Sequence, residues 1–209
     1  RDWVDTMRFP DAFVNGLFGG LNEKRRAQIE ALPFVDKTSA ISLIRVETDA
    51  FGVEGLASPR TTFIAFDPDE FFDMTEIHWV EGDPEYALRR LREGGAVVVA
   101  QEFLVRREGF GVGDTFPIRF RDETIPFEIV GAVSAPGLDL MSKYFHMEDD
   151  YAEQALHAVF GTRRDMERRF GVDSIHLIQI GLKGEISDRA AVDHLRRTLR
   201  NPALVVGSG

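Results

Sequence analysis

Apolar positions in the first part of the chain fall first at helical and then at strand intervals. Phe13, Leu17 and Leu21 recur every four residues, with Val14 and Phe18 on the adjoining strip. The spacing predicts a helix over 11–21 capped by Asp11, weakened by Gly16, Gly19 and Gly20. A stronger helix is expected from Asn22 to Leu32: Asn22 can cap, Glu23 sits at the positive end, Ile29 and Leu32 are apolar, and Pro33 stops the run. Ile41 to Glu47 reads as a strand. From Thr61 the period is two, with Phe63 and Ala65 alternating with Ile64 and Phe66, until Asp67-Pro68-Asp69 imposes a turn.

A helix is expected from Asp83 or Pro84 to Glu93, ended by Gly94-Gly95. Ala96 to Ala100 is a continuous Val-rich strand of the kind buried on both faces, and Gln101 to Glu108 reads as helix with Phe103 and Leu104 inward. Thr115 to Arg121 and Thr124 to Val133 form a hairpin about Arg121-Asp122-Glu123. Its Pro117 and Pro126 cannot donate to a ladder, so each belongs on an edge or at a strand start. Tyr151, Ala155, Leu156, Val159 and Phe160 make a helical stripe over 148–160, and Met166 and Phe170 continue helically to Gly171. Ser174 to Leu182 is a strand, Ser187 or Asp188 caps a last helix through Ala191, Leu195 and Leu199, and Ala203 to Val206 is a final strand.

A helix, Leu32-Pro33-Phe34-Val35 and a strand near the start are answered by a helix, Asn201-Pro202-Ala203-Leu204 and a strand at the end. This echo predicts an α+β chain with a split, ferredoxin-like (porter-like) α/β lobe built from both termini, residues 1–60 and 146–209. A smaller β-rich lobe, residues 61–145, is inserted in its middle.

Composition narrows the function. With 44% apolar and 29% charged residues in 209, the chain can bury a real core. A formal net charge of −10 argues against nucleic acid and anionic lipid as nonspecific partners. Clusters such as Arg89, Arg90 and Arg92, or Arg163, Arg164, Arg168 and Arg169, are interleaved with acids and read as solvated helix faces. The absence of cysteine excludes disulfides, thiolate nucleophiles and cysteine-ligated metals. No apolar run reaches the ~18 residues of a membrane span, and no signal peptide is expected at Arg1.

Glu81-Gly82, the run Ala96-Val97-Val98-Val99-Ala100-Gln101-Glu102-Phe103, then Gly111-Val112-Gly113-Asp114-Thr115 and Phe127-Glu128-Ile129-Val130-Gly131-Ala132-Val133 occur in an order and spacing with a counterpart among known proteins. This stretch resembles the periplasmic core domain of MacB/FtsX-type ABC transporter permeases. Leu32-Pro33-Phe34-Val35 is similar to that family's "lPgV" signature, with Phe34 in place of the usual glycine. The resemblance implies a non-catalytic domain lying between the first two membrane helices of a permease in the bacterial cytoplasmic membrane, on its periplasmic or extracellular side. It also implies a separate ATP-binding subunit or domain, a homodimeric or heterodimeric transporter, and an envelope protein as partner or a substrate for export. No cofactor is expected. In physical terms, Gly113-Asp114 fits a tight turn in which aspartate bonds backbone amides, and Gly131 admits the close approach of a neighbouring backbone.

Other chemistries are less well supported. Gly109, Gly111 and Gly113 lack dinucleotide spacing and a following helix, and read as a turn. His146, Glu148, Asp149 and Asp150, and separately Asp67, Asp69, Glu70 and Asp73, are loose groups of hard-metal donors without EF-hand or His-Glu-x-x-His spacing. They keep a metal- or carboxylate-dependent hydrolase as an alternative, beside a stand-alone solute-binding protein with a deep pocket. Ser39, Ser42, Ser134 and Ser142 lie in no nucleophile elbow, and His78 and His176 read as structural. The candidate contact surface is the apolar stretch after the Val133 strand, with Leu138, Leu140, Met141, Tyr144 and Phe145 either facing a partner protein or bridging the lobes and filling the core.

Overall fold

The computed structural model describes residues 10–16, 19–48, 60–101, 104, 110–134, 158–184 and 186–208. In chain order the elements are β1 (Ala12–Asn15), α1 (Glu23–Glu30), β2 (Val35–Glu47), β3 (Arg60–Phe66), α2 (Pro68–Met74), β4 (Trp79–Glu81), α3 (Pro84–Glu93) and β5 (Ala96–Ala100). There follow β6 (Thr115–Phe120), β7 (Glu123–Val133), β8 (Val159–Thr162), α4 (Arg163–Phe170), β9 (Leu177–Leu182), α5 (Asp188–Leu199) and β10 (Val205–Ser208). Contacts group Arg1–Ser42, Asp69–Glu76 and Asp173–Gly209 into a terminal unit, and Leu43–Pro68 with Ile77–Val172 into a middle unit. The seam thus falls at other residues than 60/61 and 145/146, and α2 groups with the terminal unit although the chain on both sides of it belongs to the middle one.

The terminal unit is a split βαβ pair. Its strands run β10-β1-β9-β2, and β1 is antiparallel to both β9 and β10, as β9 is to β2. Each half, β1-α1-β2 and β9-α5-β10, therefore receives a strand of the other half between its own two, the ferredoxin-like arrangement that the echo predicts. α1 starts where Asn22 Oδ1 accepts from Arg25 N at 2.9 Å, and α5 where Ser187 Oγ accepts from Ala190 N at 3.4 Å. Ala12, Val14, Ala40, Ile178, Ile180 and Val206 from the sheet pack with Ile29 of α1 and with Val192, Leu195 and Leu199 of α5 in one apolar cluster.

Residues 12–15 are strand where the spacing predicts helix. All four are buried, with Ala12 and Val14 in the helix-side cluster and Phe13 and Asn15 alternating with them. Pairing on both edges and burial on both faces outweigh an i, i+4 coincidence among Phe13, Leu17 and Leu21. Val159 and Phe160 likewise belong to a strand, buried throughout and paired with β3 and β5, instead of closing a helix. Asp67-Pro68-Asp69 is a helix start more than a turn: Pro68 opens α2 and Asp69 and Glu70 occupy its first turn. Most of 101–109 lies outside the described residues.

In the middle unit β3 is parallel to β8, β8 antiparallel to β5, β5 parallel to β7, and β4 and β6 antiparallel to β7. The β6–β7 hairpin closes at Phe120↔Glu123, with Arg121 in the left-handed region at φ 55°. Pro117 and Pro126 oppose each other at one rung, where neither has an amide to donate, so a single rung absorbs both lost donors. Phe63, Phe127 and Phe170 form the centre of the core, with ring centroids 5.2 to 5.9 Å apart. Asp165, buried in the first turn of α4, accepts from Gly95 N at 2.8 Å and from Arg169 Nε at 2.8 Å, tying α4 to the end of α3.

Gly161 of β8 lies beneath the Phe63 ring, and a Cβ there would stand 2.2 Å from Phe63 Cζ. Phe63 is fully buried, so the ring cannot swing aside without disturbing Phe127 and Phe170. Gly161→Ala is expected to destabilise the protein by about 2 kcal/mol in urea unfolding, whereas Gly184→Ala, with nothing within 4 Å, stays near wild type. Equal midpoints for the two variants would show that the core accommodates a methyl group there.

Candidate functional site

The predicted contact residues Leu138, Leu140, Met141, Tyr144 and Phe145, and the acidic run His146 to Asp150, lie outside the described residues. The second acidic group is described, and two of its members, Glu70 and Asp73, act as partners for cations. Arg26 of α1 donates from Nη2 to Glu70 Oε1 at 2.6 Å and from Nε to Glu30 Oε1 at 2.9 Å. Thr38 of β2 donates to the same Glu30 oxygen at 2.6 Å and accepts from Arg26 Nε at 3.2 Å. A turn further along α2, Asp73 accepts from Lys37 Nζ at 2.7 Å. Burial opposes the Arg26 charge, but the hydrogen bonds and attraction of Glu70 and Glu30 outweigh it and raise its pKa above the ordinary guanidinium value. Thus Glu70 and Asp73 place α2 on the rest of the terminal unit, and the hydrolase alternative gains no support from them.

The Gly111 to Asp114 segment makes the turn expected of it. Gly113 has φ 99° and donates to Ile129 O, while Asp114 Oδ2 accepts from Gly111 N at 2.7 Å. Gly131 admits the neighbouring backbone as expected, with Glu81 O 3.4 Å from where a Cβ would stand, and it also makes room for a side chain, since that Cβ would lie 2.5 Å from the Trp79 ring.

Sequence reasoning missed a basic cleft at the C-terminal end of α5. It measures about 330 Å³ and is lined by Arg196, Leu199, Arg200, Asn201, Pro202, Leu204 and Val206. Leu199, Leu204 and Val206 form a buried apolar floor. Arg25 reaches the same helix end and donates to Leu199 O at 3.3 Å, and Arg196 donates to Val206 O at 2.8 Å. Arg200, the C-cap, is left-handed at φ 44°. The signal was present, since no acid follows Asp193, yet basic residues at a helix end read first as complements to its dipole.

These features stand on an architecture shared with solved structures. The periplasmic region of MacB from Actinobacillus actinomycetemcomitans matches with a TM-score of 0.59 at 10% identity, over 99% of this chain and 92% of that one. The chain has the MacB periplasmic fold. The extracellular domain of the ABC-type transporter YknZ from Gram-positive bacteria matches this MacB-like fold with a TM-score of 0.57 at 10% identity, over 90% of this chain and 89% of that one. No protein-family model and no curated protein matches the sequence.

Two outcomes test the electrostatics of the terminal unit of this MacB-like fold. Arg26 is 13% exposed, so Arg26→Ala takes one donor from Glu70 and one from Glu30, which keeps Thr38, and is expected to cost about 1 kcal/mol in urea unfolding. Glu70→Gln should cost less, because Arg26 keeps Glu30; a loss of only a few tenths for Arg26→Ala would show the network to be solvated. Burial holds the half-buried His176 ring below its usual pKa of 6.5, so the folded state resists protonation and the unfolded state does not. That contribution is complete above 6.5 and is lost as the pH falls from there toward the lower folded value. Thermal melts of His176→Gln should therefore show a shallower decline than wild type between pH 7 and about pH 5, and parallel curves would refute the assignment.

Proposed function

We propose that the chain is the extracytoplasmic domain of an ABC transporter permease subunit and couples cytoplasmic ATP hydrolysis to substrate export or to an envelope protein. The observation that carries this reading is mutual coverage. The likeness spans 99% of this chain and 92% of the MacB periplasmic region, a whole domain on a whole domain. A second feature supports it: Ala12 pairs with Ser208, so the first and last described strands have their outer ends side by side. A domain held between two membrane helices needs its entry and exit close together.

On this reading the domain lies on the periplasmic or extracellular side of the bacterial cytoplasmic membrane and performs no chemistry of its own. ATP is hydrolysed by a separate subunit or domain, reached through the membrane part, and the permease works as a homodimer or heterodimer. Among the described residues no helix is long and apolar enough to cross a membrane, and the reading assigns the spans to other parts of the permease.

Membrane fractionation and topology mapping of the full-length native protein test the proposal. The expected result is an integral membrane protein with this domain outside the cytoplasm, between its first and second spans. A full-length protein found in the soluble fraction would overturn it.

A further inference from the structure

We propose that the cleft at the end of α5 binds a carboxylate group presented by an acidic segment of a partner protein. The donors there exceed the acceptors that the fold provides. Arg200 spends Nε on Arg197 O at 3.2 Å, and among the described residues its two Nη groups have no partner. Asn201 accepts from Ala203 N through Oδ1 at 3.0 Å, which leaves its Nδ2 donors over Gly20, where a Cβ would stand 2.7 Å from that nitrogen. No Asp or Glu lines the cleft.

The negative end of the α5 dipole opposes an anion with about half an elementary charge. Arg25, Arg196, Arg197 and Arg200 carry four positive charges at the same helix end, and Asp193, 3.8 Å from Arg196 Nη1, offsets one of them, so the local field still favours a carboxylate despite the overall charge of −10. Guanidinium suits this ligand because its planar fork bonds both carboxylate oxygens. The apolar floor of Leu199, Leu204 and Val206 accepts the methylenes of a glutamate side chain.

The choice of a protein over a lipid headgroup rests on the permease reading. The strand ends that lead toward the membrane in that reading, Ala12 and Ser208, are paired at one end of the sheet, and the cleft is lined from the other end of β10, by Leu204 and Val206, about 10 Å away along the strand. On that reading the cleft lies on the side of this strand away from the headgroups, where an acidic segment of an envelope protein can supply the carboxylate.

Binding can be read by NMR on the isotope-labelled chain titrated with a hexaglutamate peptide at low salt. The amides of Arg200, Asn201 and Ala203 are expected to shift. Arg200→Gly should weaken the response at least about tenfold, and because glycine accepts φ 44° without strain this variant keeps the fold, as a thermal melt would check. Inorganic phosphate at equal ionic strength should move these resonances far less, and vesicles of phosphatidylcholine and phosphatidylglycerol should not bind the chain. The inference is overturned if the peptide leaves these amides in place or shifts them equally in Arg200→Gly. It is also overturned if phosphate matches the peptide, which would make this a free-anion site, or if the vesicles bind through the same residues. The assay needs neither membrane nor ATPase, so its failure leaves the permease reading intact, and a soluble full-length protein would leave the site measurable.

Discussion

The pairing of β1 with both β9 and β10 is the constraint on which the terminal unit depends, because it joins residues near position 12 to residues near 180 and 208. Without it neither βαβ half has a complete sheet, and the apolar sides of α1 and α5 have nothing to cover. Such long-range pairing is inexpensive once it is required. Loop-closure entropy grows only with the logarithm of length, so lengthening a connection from about ten residues to the roughly 130 between β2 and β9 adds only about 2 kcal/mol. The whole middle unit can therefore be inserted into a ferredoxin-like frame that remains intact, with its own core of Phe63, Phe127 and Phe170 to offset its own ordering.

Legibility in the sequence follows the physics of burial. β6 alternates buried and exposed positions at Thr115, Phe116, Pro117 and Ile118, and its period of two is plain. β1 and β8 are four-residue strands buried on every residue, so they carry no alternation, and helical spacing could be read into their neighbours. Helix starts are clearer because they depend on local hydrogen bonds: Asn22 caps as expected, Ser187 caps where Ser187 or Asp188 is expected to, and Asp83 caps the helix expected to start at Asp83 or Pro84. The same logic shows what was underweighted at α2, where a proline followed by two acids is a helix start as much as a turn. The basic cleft was harder to find, since it depends on Arg25 and Arg200 meeting across 175 positions of sequence at one helix end.

Three aromatic rings cover three glycines on neighbouring strands: Phe13 over Gly207, Trp79 over Gly131 and Phe63 over Gly161. In each case the missing Cβ is what lets the ring lie flat against the sheet, and the ring in turn shields backbone that glycine leaves bare. These pairs act across strands that are distant in sequence, so neither partner announces the other. A glycine in a strand signals a close approach but not its whole source: Gly131 admits the backbone of Glu81 as expected, and the Trp79 indole besides.

The combination of 10% identity with near-complete coverage of the MacB periplasmic region bears on where specificity resides. Cores tolerate extensive exchange of apolar residues if volume and pattern persist, so a fold of this kind is specified by few requirements. Here they are apolar strands, helix caps, gaps beneath rings, and ion pairs such as Arg26 with Glu70 that locate α2. None of these demands a particular side chain at a helix end or loop facing water. An unstrained, inert surface at residue 200 would be met by glycine, which accepts φ 44° more readily than any other residue. Arginine at that position ends α5 in a left-handed conformation that glycine would adopt with less strain, and its two Nη groups have no partner among the described residues, which are the donors that the proposed carboxylate would take up.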